Sequence, residues 1–139
     1  MEKMVKKTLI LLCMGMIAGP LYGNARENPW VSFINNPGEK TYIQCREMVE
    51  DSEKILRAKR PDEHIPCTPV RENLFSRDKI FDDFVILVSE GNTYAIKLGM
   101  QVYPFTDAGT MEDICQALST AFHADPINFL KLLKQKKNN

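Results

Sequence analysis

Apolar positions recur at helical spacing along most of this chain. From Thr41 to Lys59 the set Tyr42, Cys45, Met48, Val49, Ser52, Ile55 and Leu56 falls on one stripe, and Pro61 ends the run. Thr41 with Gln44 makes a capping box for it, while Arg46, Glu47, Glu50, Lys54 and Arg57 form a charged opposite face. A second helical run follows Ser76 as its cap, carrying Ile80, Phe81, Phe84, Val85, Leu87 and Val88, with Gly91 as its stop. Near the C-terminus Thr110 and Asp113 make another box ahead of Met111, Ile114, Leu118, Ala121 and Phe122. Asp125 then caps a last helix that begins with Pro126, a residue whose missing N–H costs nothing at that position.

The pattern is ambiguous between Phe84 and Phe105. As strands, Phe84–Val88 is a buried run, Gly91-Asn92 a hairpin turn, and Tyr94, Ile96, Leu98, Met100 and Val102 alternate with smaller or polar residues. As a helix, Asn92 caps a segment whose Ala95, Ile96, Leu98, Val102 and Phe105 also share a stripe, although Gly99 costs about 1 kcal/mol in a helix interior unless two helices approach closely there. The candidate caps favour the helix: Ser76 to Thr110 is 34 residues and Asn92 to Asp125 is 33, nearly one period, as in stacked helical hairpins. The expected fold is therefore all-α, with about five short helices as stacked antiparallel hairpins. An α+β fold with a β-hairpin at 84–103 is the alternative.

The two ends of the expected domain read differently. Lys3, Lys6 and Lys7, the apolar run Thr8–Ala18 and the small residues Gly23-Asn24-Ala25 form a secretory leader over residues 1–25, with cleavage after Ala25. Gly19-Pro20 breaks the run too early for a membrane anchor. The leader predicts export to the periplasm or the medium and no stable membrane insertion once it is removed. Residues 26–40, rich in Asn, Pro and Gly, read as an irregular arm whose Trp30 either joins the core with Phe33 or stays exposed for a partner. Residues 41–136 then form a single helical domain, interrupted by an irregular Pro-rich loop over 61–75.

Charge narrows the function classes. Of 18 basic and 18 acidic residues the leader takes three and one, so 15 and 17 remain on the 114 residues that follow it. No clustered basic excess marks a nucleic-acid binder. Lys131, Lys134, Lys136 and Lys137 form the one cluster, placed where cations complement the dipole of a helix C-terminus.

Candidate chemistry centres on the thiols and the two histidines. In an oxidising compartment Cys45, Cys67 and Cys115 are disulfide candidates, and an odd count allows one internal bridge. Cys45 with Cys67 is the expected pair, because about seven extended residues can retrace about 15 helical ones. Cys115, beside Ile114, is then a buried thiol. His64 and Cys67 are the one Cys/His neighbourhood, usable as a thiol dyad or as part of a metal site, but no further ligand stands at zinc-motif spacing. Cys115 and His123 lie about two helical turns apart, and Asp82-Asp83 and Glu112-Asp113 are adjacent pairs that diverge on a helix. No cofactor motif is present.

These features point to a small exported module that binds another protein without catalysis, as an inhibitor, an immunity-type protein or an envelope assembly factor, with His64, Cys67 and Trp30 as its interaction residues. The competing classes are a thiol- or carboxylate-dependent hydrolase and a metal carrier using His64 and Cys67.

Overall fold

A computed structural model of the protein describes residues 27–64 and 66–137. The leader expected over residues 1–25 lies outside them. The described residues form six α-helices and contain no strand: α1 (Pro29–Asn35), α2 (Glu39–Ala58), α3 (Asp78–Ser89), α4 (Thr93–Val102), α5 (Ala108–Ala124) and α6 (Pro126–Lys137). A π-helical turn, Arg71–Phe75, precedes α3, and a 3-10 turn, Tyr103–Phe105, follows α4. The all-α reading holds, with one helix more than expected.

The extra helix is α1, which replaces the irregular arm. Asn28 caps it, its side-chain oxygen accepting from the Trp30 N–H at 3.0 Å, and Pro29 occupies the first helical position. Seven residues make a marginal helix unless packing holds it. Here Trp30 and Phe33 are fully buried, and Trp30 meets Phe84 of α3 edge to face at 5.3 Å. Trp30 is thus a core residue and not an exposed contact, contrary to its expected place among the interaction residues.

The corner between α3 and α4 resolves the ambiguous stretch. Gly91 adopts φ +84°, a left-handed conformation that costs glycine little. This turn lets the Asn92 N–H reach the Leu87 carbonyl at 3.1 Å and the Gly91 N–H reach that of Val88 at 3.0 Å, closing the end of α3. Asn92 immediately caps α4, its side-chain oxygen accepting from Tyr94 and Ala95 at 3.1 and 3.0 Å. Gly-Asn therefore turns one helix into the next and does not make a β-hairpin. Helix α4 packs against α2, α3, α5 and α6, which buries Ala95, Ile96, Leu98, Gly99, Met100 and Val102. A short helix covered on nearly every side carries apolar residues all round, and such a run also satisfies a strand-like alternation.

Two capping boxes form one turn earlier than the sequence pattern predicts. At α5 the reciprocal bonds join Asp107 and Thr110, with Thr110 N–H donating to Asp107 Oδ1 and Asp107 N–H donating to Thr110 Oγ1, both at 3.0 Å. These bonds to Thr110 hold the Asp107 carboxyl below the usual carboxylate range. At α2 the Thr41 hydroxyl accepts from the Gly38 N–H at 3.2 Å and donates to the Asn36 carbonyl at 2.8 Å, so the helix opens at Glu39. In both cases Thr occupies the third position of the helix and not its cap. Arg77, not Ser76, precedes α3, while Asp125 caps α6 as expected, accepting from Asn128 at 3.0 Å. The boundary spacings become 30 for Arg77 to Asp107 and 33 for Asn92 to Asp125, so α3–α4 and α5–α6 are successive helix pairs without a fixed repeat.

The segment between α2 and α3 is anchored by one hydroxyl. Ser52 is fully buried; it donates to the Met48 carbonyl at 2.8 Å and accepts from the Val70 N–H at 3.1 Å. Buried Thr68, Val70 and Leu74 follow from that anchor into the π-helical turn, which replaces part of the expected irregular loop 61–75.

Ser52→Ala leaves the buried Val70 N–H without its acceptor and should lower stability by about 1–3 kcal/mol, a fall in Tm of roughly 4–15 °C by circular dichroism. Ser89→Ala is the control, because Ser89 Oγ makes the same bond to its own helix, to the Val85 carbonyl at 2.9 Å, and accepts no backbone donor from elsewhere. Gly99→Ala should instead raise the Tm by a few degrees: an added Cβ would meet Leu118 and Val88 at an ordinary 3.5 Å, so the helix gains about 0.5–1 kcal/mol without a clash. A fall would mean that α3 and α5 hold α4 more tightly than that distance allows.

Candidate interaction site

The cysteines do not assemble a site. Cys45, Cys67 and Cys115 are all free, and the expected Cys45–Cys67 bridge is absent. The returning chain meets α2 at Ser52, about two turns beyond Cys45, so the retracing segment never reaches that cysteine. Cys45 is buried in the core and its thiol is pushed up to about 12 by that burial. Cys67 is exposed, and its thiol is raised chiefly by its hydrogen bond to the Glu72 carboxylate, with further contributions from burial and the Glu72 charge. A nucleophilic cysteine needs the opposite shift.

Cys115 is exposed on α5, not buried beside Ile114 as its position suggested. His64 is exposed in the segment after α2. His123 lies in the last turn of α5, where its Nδ1 is 2.7 Å from the Ser119 carbonyl. Among the described residues no group of three His, Cys, Asp or Glu is placed to hold a metal ion, and no helix is long and apolar enough to cross a membrane.

What the fold does build is a cleft of about 610 Å³ between α2, α4 and the far end of α6. Its walls come from the few polar positions of the enclosed helix, Lys97 and Gln101, together with Tyr42, Arg46 and Glu50 of α2 and Lys136 of α6. Each charge in it is positioned. Arg46 Nε lies 3.2 Å from Glu50 Oε1, and Lys97 Nζ sits 5.8 Å from the centre of the Tyr94 ring, which in turn packs on Tyr42 at 5.2 Å. Lys136 Nζ donates to the Met100 carbonyl at 2.8 Å, one of the terminal acceptors that α4 leaves open. Gln101 contributes the one unsatisfied group: its Oε1 is the single buried side-chain N or O without a hydrogen-bond partner among the described residues.

From the sequence, Arg46 and Glu50 read as a charged outer face and Tyr42 as part of the apolar stripe of α2, while Lys97 and Gln101 carried no role. The available signal was Lys97 and Gln101, spaced one turn apart in an otherwise apolar helix, which mark the single strip of α4 left open by its neighbours. Arg46 and Glu50 are likewise one turn apart on α2, as an opposing wall requires.

Comparison with protein families, curated proteins and solved structures found no match to this chain.

Native-state thiol titration should reach Cys67 and Cys115 and leave Cys45 unreactive until the protein is denatured. The alkylation profile of Cys67 should lie to the alkaline side of free cysteine, since a raised thiol holds its proton to higher pH. An acid-shifted profile, or a Cys45–Cys67 peptide in a non-reducing digest, would overturn this account of the thiols.

Proposed function

We propose that this chain is an exported, non-catalytic binding module whose partner is another protein, in the manner of an inhibitor, an immunity-type protein or an envelope assembly factor. The leader pattern of residues 1–25 supports export. The partner reading rests on the cleft, and the observation that carries it is the convergence of Arg46, Glu50, Glu53, Lys97 and Lys136 around Gln101, whose Oε1 has no hydrogen-bond partner. A buried carbonyl oxygen without a donor costs free energy, and a backbone N–H from an extended segment is the commonest donor that would supply one. Neighbouring groups of both signs, Arg46, Glu50, Glu53, Lys97 and Lys136, suit a polar polypeptide better than an apolar small molecule, which would strand those charges on a dry surface.

Affinity capture from cell-envelope extracts, with the full chain as bait, tests the reading. Wild type should retain a discrete protein, and Gln101→Leu together with Lys97→Glu should weaken that retention at least about tenfold, the scale for loss of one buried hydrogen bond and one interfacial charge. Equal capture by wild type and variant, or no specific capture at all, would remove the cleft as the binding site.

A further inference from the structure

The outward face of α6 carries a second feature, on the side of that helix away from the cleft. Ile127, Leu130 and Leu133 are 70%, 49% and 42% exposed, an unusual share of large apolar surface for one twelve-residue helix. At 100° per residue they fall with Lys131 and Lys134 in one arc of roughly 160°, opposite buried Phe129 and Leu132. The helix contains no acidic residue. Dipole complementarity explains lysines in the last turn, but it gives no reason for three apolar side chains between and beside them.

This face is held ready. Phe129 packs edge to face on Phe122 at 5.6 Å, fixing the α5–α6 corner, and Leu132 is buried beneath the helix. Lys136 is turned inward to the Met100 carbonyl. Phe122, 37% exposed, lies at the same corner. No folding of the helix is needed before the face can be used.

We propose that the outer face of α6 lies on an anionic bilayer surface, with Ile127, Leu130 and Leu133 among the acyl-chain ends and Lys131 and Lys134 at the level of the phosphates. Apolar and cationic residues interleaved on one exposed face fit this occupant: the lysine stems cover apolar surface while their ammonium groups reach back to the headgroups. A protein groove would need carboxylates set between its apolar pockets to match the same alternation, whereas an anionic bilayer presents apolar depth and negative charge everywhere. The association is peripheral and reversible. It would hold the α2–α4–α6 cleft beside the membrane, and it stands whether or not that cleft binds a protein.

Co-sedimentation with vesicles of phosphatidylcholine and phosphatidylglycerol (3:1), and of phosphatidylcholine alone, tests the proposal. Because the apolar leader can itself bind lipid, the comparison is between full-length wild type and full-length α6 variants. Lys131→Gln with Lys134→Gln should weaken partition onto anionic vesicles about 25-fold, near fivefold per lysine, and leave neutral vesicles unaffected. Ile127→Ser with Leu130→Ser should weaken it at least about tenfold, and Leu133→Ala, which only truncates an exposed side chain, severalfold. High salt should shrink the lysine effect. Circular dichroism confirms that each variant is folded. Variants that partition onto anionic vesicles like wild type, or lysine variants that lose binding equally on neutral vesicles, overturn the proposal. So does sedimentation of the lipid-free protein as a dimer that the α6 variants dissociate, which would give the face to a second copy, or a captured protein partner lost by these variants while vesicle binding persists.

Discussion

Enclosure of α4 is the constraint on which the rest of the structure depends. A helix of ten residues has little stability of its own. This one exists because α2, α3, α5 and α6 each give it a face to bury against, and those helices in turn have their apolar stripes covered by it. The arrangement demands a tight entry, supplied by the Gly91–Asn92 corner, and a tight exit, supplied by the 3-10 turn Tyr103–Phe105. Gly99 sits between Val88 and Leu118 at the approach of α3 and α5. The small side of α4 faces its nearest neighbours, and its polar side, Lys97 and Gln101, faces the cleft.

The same enclosure decides what was legible beforehand. Long amphipathic helices with one buried face, α2 and α5, could be located from spacing because their apolar stripe is narrow and their polar face continuous. α4 could not, because burial on nearly every side blurs the periodic signal that distinguishes helix from strand. The caps were misplaced for a related reason. Thr serves as a cap or as the third residue of a box, and only the preceding turn tells which: Asp107 outcompetes Thr110, and at α2 a glycine backbone takes the cap position. α1 did not show in the pattern because seven residues after an Asn cap are too few to register as a period, although Trp30 and Phe33, three apart, already shared a face.

The candidate site was less legible than the fold. Residues were sought where reactive groups cluster in sequence, at His64 and Cys67, whereas the cleft gathers groups from three helices that are ordinary in isolation. Arg46, Lys97, Gln101 and Lys136 acquire a meaning only when α2, α4 and α6 converge. The Cys45–Cys67 bridge was expected from reach alone, which says nothing of where the returning chain is fastened: the Val70 N–H bonds Ser52, two turns short of Cys45.

That serine has a consequence for how the chain tolerates change. With Val70 fastened to Ser52, the excursion that leaves α2 at Lys59 returns to that same helix. Lengthening such a closed excursion costs little, since closure entropy grows only with the logarithm of loop length. Sequence drift, insertion or a grafted epitope can be absorbed there while the helical frame stays in register. The segment that first looked like a chemical site is better understood as a closed excursion whose lengthening costs this fold little.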